Sequence, residues 1–152
     1  MSEVKEKIKI LFICTGNACR SQIAEGWARH LKSDVIDAYS AGIWPAGVSP
    51  RAIQVMTEAG VDISSQISNH IDELLAIDFD YVITLCDNAR DLCPVFSGKT
   101  RMVHRAFEDP TFVTGSTEKI TTAFRRTRDL IRAFIETLPE SLTDDASVKL
   151  TE

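Results

Sequence analysis

The chain has 152 residues, 44% of them hydrophobic, and a formal net charge of −5. A chain of that length suits one domain able to bury roughly 70% of the surface its unfolded form exposes, so disulfide or metal staples are not required. The acidic balance argues against a nucleic-acid backbone or an anionic membrane as partner, and any anion must be bound by a local site.

The opening MSEVKEKIKI lacks the apolar h-region and small-residue cleavage site of a secretory signal, and no later segment approaches about eighteen apolar residues, so a cytoplasmic protein is expected. Residues 8–13 (IKILFI) predict a buried strand, followed by CTGNACRS at 14–21. Beyond Arg20, Ile23, Trp27, Ala28 and Leu31 recur at helical spacing, with Ser21 placed as cap and Glu25 on the polar side. DVIDAYSAG reads as a second strand ending in a glycine turn. SPRAIQVMTEAG reads as a helix with Ser49 at its cap, Pro50 at its first position and Gly60 near its end. Ile71, Leu74, Leu75 and Ile77 suggest a short further helix, and FDYVITL at 79–85 a third strand. TRMVHRA is a candidate fourth strand. The longest helix spans 116–138, with Ile120, Phe124, Ile131, Phe134 and Leu138 on one face. Alternating strands and helices predict an α/β fold with helices on both faces of a parallel sheet. The expected organisation is one catalytic domain over 1–138 and a flexible tail over 139–152, with no repeat.

Four cysteines without a signal are not read as a disulfide framework; they are catalytic, metal-binding or simply buried. Two of them lie in CTGNACRS. A thiol reacts as its thiolate, and an unperturbed cysteine is only slightly ionised at neutral pH. Cys14, at the end of the first strand, would face the backbone N–H groups of residues 15–20, the N-terminus of the next helix and the Arg20 guanidinium, all of which favour negative charge. The same donors, supplied by Thr15, Gly16, Asn17, Ala18, Cys19, Arg20 and Ser21, could cradle a tetrahedral oxyanion. Gly16 permits a turn that other residues resist, Asn17 tolerates positive φ, and Ser21 can donate to the thiolate. Arg20 offers a planar fork that lysine could not reproduce.

The pattern C-x5-R-S after an N-terminal strand resembles the low-molecular-weight protein tyrosine phosphatase family. CTGNACRSQIAEGW with the later YSAG is similar to its thioredoxin-coupled arsenate reductase branch, over roughly residues 7–138. The resemblance implies a three-layer α/β/α fold on a four-stranded parallel sheet, in which a loop cysteine, a loop arginine and a later Asp-Pro pair carry the reaction. The pair is present as Asp109-Pro110, and an aspartate held extended before proline suits a general acid.

Cys86 ends a predicted strand and Cys93 follows before Pro94 in TLCDNARDLCPVF. Taken alone, this spacing leaves a redox relay, unrelated thiols or a metal site open, although it lacks the C-x2-C pattern of zinc. The resemblance implies the relay: Cys14 attacks arsenic while Asp109 protonates departing oxygen, Cys86 attacks Cys14 and releases arsenite, and Cys93 attacks Cys86, leaving a disulfide for thioredoxin. DNARDL reads as a short polar loop, mobile enough to join the two thiols, and Arg90 as a cation near them.

The expected partners are arsenate, with phosphate or sulfate competing, and thioredoxin. A monomer without cofactor is expected. Some family members hold potassium beneath the loop through an asparagine, a glutamate, a serine and an aspartate. The matching positions are Asn17, Glu25, Ser40 and Asn69; the last is an amide where the family has an aspartate, so a hard cation should bind more weakly, and no metal is assigned. His30, His70 and His104 share no metal-ligand spacing and are read as solvated or core residues, and Trp27 and Trp44 as packing residues. Two other functions fit the motif: a phosphotyrosine phosphatase using Cys14, Arg20 and Asp109, with Phe112 walling an aryl substrate, and an oxyanion-binding or redox-sensing module.

Overall fold

The computed structural model describes residues 6–94, 96, 99–143 and 149–150. Four strands, β1 (Ile8–Cys14), β2 (Ile36–Gly42), β3 (Tyr81–Thr84) and β4 (Arg101–His104), form a parallel sheet in the order β2-β1-β3-β4. Ile10, Leu11, Phe12 and Ile13 are all 0% exposed, so both faces of β1 are covered and its apolar run has no polar alternation. Each such side chain contributes about 1.5–3 kcal/mol relative to exposure.

Helices flank the sheet, in the three-layer arrangement expected. They are α1 (Arg20–Leu31), α2 (Pro50–Glu58), α3 (Asp87–Leu92), α4 (Thr117–Glu136) and the single turn α5 (Glu140–Thr143). α4 packs on α1 and α2, and Trp27, 1% exposed, donates from its indole to Arg128 O at 3.1 Å across the α1–α4 contact. α2 begins as expected, with Ser49 accepting from Ala52 N and Pro50 at the first position, and Gly60 follows its end at φ +85°. The sequence from Ile71 makes a 3-10 turn, Ile71–Leu74, capped by His70 Nδ1 accepting from Asp72 N at 3.0 Å. No helix among the described residues is long and apolar enough to cross a membrane.

Two features depart from the expected outline. Past Leu138 the chain does not fray at once: α5 buries Leu142, 1% exposed, and Lys149–Leu150 form a short strand, β5, antiparallel to β4. Two residues carry no readable period, and the β4 edge supplies the partner groups. The segment between Cys86 and Cys93, read as a loop, is helical: Cys86 caps α3, its sulfur accepting from Ala89 N at 3.4 Å, and Cys93 stands at the other end.

The order β2-β1-β3-β4 means that the chain reverses direction between β1 and β3, and the crevice outside the carboxyl ends of those strands is where such sheets bind ligands. Cys14 closes β1, and Cys86 lies two residues past the end of β3.

Candidate active site

Arg20 opens α1, and the residue before it, Cys19, makes no side-chain cap bond. Ser21, expected as the cap, is engaged elsewhere. Its hydroxyl accepts from Asn17 Nδ2 at 2.8 Å and lies 2.9 Å from Cys14 Sγ, so the hydroxyl proton is free to point at the sulfur. The first amides of α1 are therefore left for an anion rather than for a cap.

The carbonyls of the loop are tied outward: Thr15 O accepts from Trp44 N, Gly16 O from Ala46 N and Ala18 O from Ser49 N, at 2.8–2.9 Å. Asn17 O takes bonds from Ser68 Oγ and from Gln22 Nε2, each at 3.0 Å. With the carbonyls turned out, the intervening amides turn toward the concave side beside Cys14, a nest for negative charge. The one positive φ of the loop falls at Asn17, +46°, which Asn tolerates. Gly16 does not need to be glycine on steric grounds, since an added Cβ would meet nothing closer than 3.7 Å. The constraint lies at Gly42, where a Cβ would stand 2.6 Å from Asn17 N. Ser68 and Gly42 escaped sequence reasoning as loop supports because their contacts cross long stretches of chain, and Gln22 because it reads as an ordinary polar residue in the first turn of a helix.

Arg20, 8% exposed, donates from one terminal nitrogen to Phe107 O at 3.0 Å and from the other to Asp109 Oδ2 at 3.2 Å. The other Asp109 oxygen accepts from Thr111 N and Thr111 Oγ1, so Pro110 and the turn behind it hold the carboxylate over the loop. Cys14, Arg20 and Asp109 are thus brought together. Cys19 is different: burial first, then the neighbouring Cys14 and Asp109, push its thiol far up, so it stays protonated and packs.

Cys86 joins the same site. Its sulfur lies 3.2 Å from Thr15 Oγ1, and both residues line a cavity of about 420 Å³ with Arg20, Asp109 and Phe112. Cys93 does not join it. Its thiol is half-buried, faces Pro94 O at 3.4 Å, and is pushed up to about 12 by burial alone. All four cysteines are free thiols. Arg90, expected near a thiol, instead bonds Asp91 at 3.1 Å. Phe112 is 82% exposed at the cavity, and Trp44, expected to pack, is 61% exposed beside the loop.

The positions that match the family's potassium ligands are bonded to one another and to Arg29. One oxygen of Glu25 accepts from Ser40 Oγ at 2.5 Å and the other from Arg29 Nε at 2.7 Å. Asn17 Oδ1 accepts from Asn69 N, and the Asn69 amide nitrogen donates to Ser40 O at 3.3 Å, which puts a donor where a cation needs an acceptor. The Arg29 guanidinium supplies the positive charge beside Glu25. Among the described residues no cluster of three His, Cys, Asp or Glu side chains could hold a metal. His104, read as solvated or core, is bonded on both ring nitrogens, to Thr84 and to Asp87.

A family model described as low molecular weight phosphotyrosine protein phosphatase matches residues 9–148. A protein named arsenate reductase from Halalkalibacterium halodurans is 46% identical over 132 residues, covering 87% of this chain and 95% of its own. A solved arsenate reductase in a phosphate-binding state superposes with a TM-score of 0.70 at 33% identity, over 86% of this chain and 95% of that one. A thioredoxin-dependent arsenate reductase from Corynebacterium glutamicum does so with a TM-score of 0.64 at 30% identity, over 91% of this chain and 65% of that one.

Proposed function

The chain belongs to the low molecular weight phosphotyrosine protein phosphatase family, and from that premise we propose that it reduces arsenate to arsenite through Cys14, Cys86 and Cys93, with thioredoxin as the final reductant. The observation that carries this reading is the 3.2 Å contact between Cys86 Sγ and Thr15 Oγ1. A phosphatase needs one thiol and water; a second thiol at the lip of the oxyanion loop suits a reaction that must also supply two electrons.

Arsenate binds in the nest, with the unused N–H groups of Arg20 on its oxygens. Cys14, its sulfur 2.9 Å from the Ser21 hydroxyl, attacks arsenic as the thiolate, and Asp109 protonates the departing oxygen. Cys86 then attacks Cys14 sulfur. A sulfur–sulfur bond forms, the sulfur–arsenic bond breaks, and arsenic leaves with the bonding pair as arsenite. Cys93 attacks Cys86 and frees Cys14, and a thioredoxin dithiol reduces the Cys86–Cys93 bond.

The last transfer requires a change of shape. Seven helical steps separate the two cysteines by about 10 Å, whereas a disulfide needs Cα atoms about 5.5–6 Å apart. α3 must unwind, which is cheap for a helix of six residues. Relatives named arsenate reductase support the substrate, and the thioredoxin-dependent relative supports the reductant.

The test is direct. The protein is given arsenate with thioredoxin, thioredoxin reductase and NADPH, and separately an aryl phosphate. Repeated arsenate turnover, far faster than phosphate release and reduced by at least roughly 10³-fold in Cys14→Ser, is expected. Faster aryl phosphate hydrolysis that ignores Cys86 and Cys93 would establish the phosphatase instead.

A further inference from the structure

α3 is fastened to the sheet at one end. His104, the last residue of β4, stands against Thr84 at the end of β3, with Nδ1 2.8 Å from Thr84 Oγ1. Its other nitrogen, Nε2, lies 3.0 Å from Asp87 Oδ1, and Asp87 is the first residue of α3, directly after Cys86. A carboxylate can only accept, so Nε2 carries a proton and donates whichever way the Thr84 hydroxyl turns. The ring is largely covered, its side chain 23% exposed, while Asp87 is 70% exposed, so the sheet side of this bond is the fixed side. Arg90, the cation near Asp87, is 3.8 Å from the same oxygen, exposed, and bonded to Asp91. At the far end Leu92 is 50% exposed, and the half-buried Cys93 thiol donates to its neighbour Pro94 O at 3.4 Å.

We propose that His104 is a positioning residue for formation of the Cys14–Cys86 bond: through Asp87 it pins the Cys86 end of α3 beside Thr15 while leaving the Cys93 end free to unwind. The proposal rests on the three-cysteine relay. Two demands fall on one short helix, since Cys86 must stay over the loop while it attacks and Cys93 must travel to meet it. A pin at the first residue satisfies both, because a helix that melts from its last turn leaves its first residue in place. Without the pin, α3 frays from both ends and Cys86 spends less time within reach of Cys14.

The experiment uses Cys93→Ser as parent, so that one turnover ends at the Cys14–Cys86 disulfide, quantified by acid quench and mass spectrometry after mixing with arsenate. His104→Asn removes the donor at the Nε2 position and should slow that step about three- to tenfold, the size of one lost bond to a partly exposed charge. His104→Gln, whose amide nitrogen reaches the Nε2 position, should restore the rate. Asp87→Ala should match His104→Asn, and the double variant should lose no more than either. Alkylation of Cys14 by iodoacetamide, slowed by inorganic phosphate, should be unchanged in all of them, since the nest is not touched. The proposal is overturned if the disulfide forms at the parent rate in His104→Asn, if Gln and Asn fail equally, or if Cys14 alkylation falls in step. If the parent itself forms no Cys14–Cys86 disulfide, the relay fails and the proposal with it; a disulfide indifferent to His104 breaks the proposal alone.

Discussion

The loop at 14–21 and the segment at 86–93 each carry two cysteines, and they are built to opposite ends. In the loop and the first turn after it Asn17, Ser21 and Gln22 are 0% exposed, and the carbonyls are bonded outward. The second segment is a six-residue helix with exposed charges and an exposed Leu92. Stabilising a developing anion requires dipoles that do not reorganise, and so a rigid cradle. Moving a disulfide from one sulfur to the next requires a backbone that gives way. Under the proposed relay, stability is distributed according to chemical role: the part that would bind charge is packed and bonded, and the part that would carry electrons is a short helix with few buried side chains.

The widest separation of the two regions comes from removing one sulfur of the mobile pair. Cys93→Ser should release one arsenite per protein and then stall as a Cys14–Cys86 disulfide, losing essentially all multiple turnover. Cys86→Ser should stop earlier, at the arsenic adduct on Cys14. Mass spectrometry of single-turnover products distinguishes them, and sustained turnover by either variant with thioredoxin would erase the division of labour.

Rigidity of the cradle is tested next by Gly42→Ala. Its Cβ would stand 2.6 Å from a backbone nitrogen of Asn17, so the loop must shift. A loss of about 1–3 kcal/mol in urea unfolding is expected, with weakened phosphate protection of Cys14. A variant of normal stability and normal protection would show the cradle to be softer than its packing. A smaller effect belongs to Ser21→Ala, which removes the hydroxyl facing Cys14 and should slow its alkylation near neutral pH about tenfold. An unchanged rate would leave the loop amides as the whole of the activation.

A gradual effect is read in the second segment by pH. Burial raises the Cys93 thiol to about 12, from an ordinary value of 9.0. The folded protein therefore keeps the proton that the unfolded chain loses. The stability this gives is full below about pH 9 and falls as pH rises toward 12, at no more than about 1.4 kcal/mol per pH unit. Cys93→Ser should flatten that decline in alkaline urea titrations, and a decline of equal slope would show that Cys93 is not the group responsible.

Cys14, Arg20 and Ser21 were legible because one short stretch holds the nucleophile, the fork and the helix start. Asp109 was legible because proline marks it. The four parallel strands could be read from apolar runs bounded by turns. What could not be read depended on partners far along the chain. DNARDL has no apolar period, and its helix is held by a cysteine cap and by His104 across the sheet. Gly42 is required by a loop that lies a whole helix and strand earlier in the chain, and only the register of β1 with β2 brings them together.

The sulfurs of the proposed relay lie in order of increasing exposure: Cys14 at 2%, Cys86 at 7% and Cys93 beyond them in the half-buried range. In the proposed relay a protein-sized reductant would not have to reach Cys14, nor would the oxyanion have to leave it. Under the proposed relay the oxyanion and the protein reductant would meet different sulfurs, with the short helix α3 between them. If the relay holds, Cys14 is shielded from stray cellular disulfides by its burial and still receives electrons through Cys86 and Cys93.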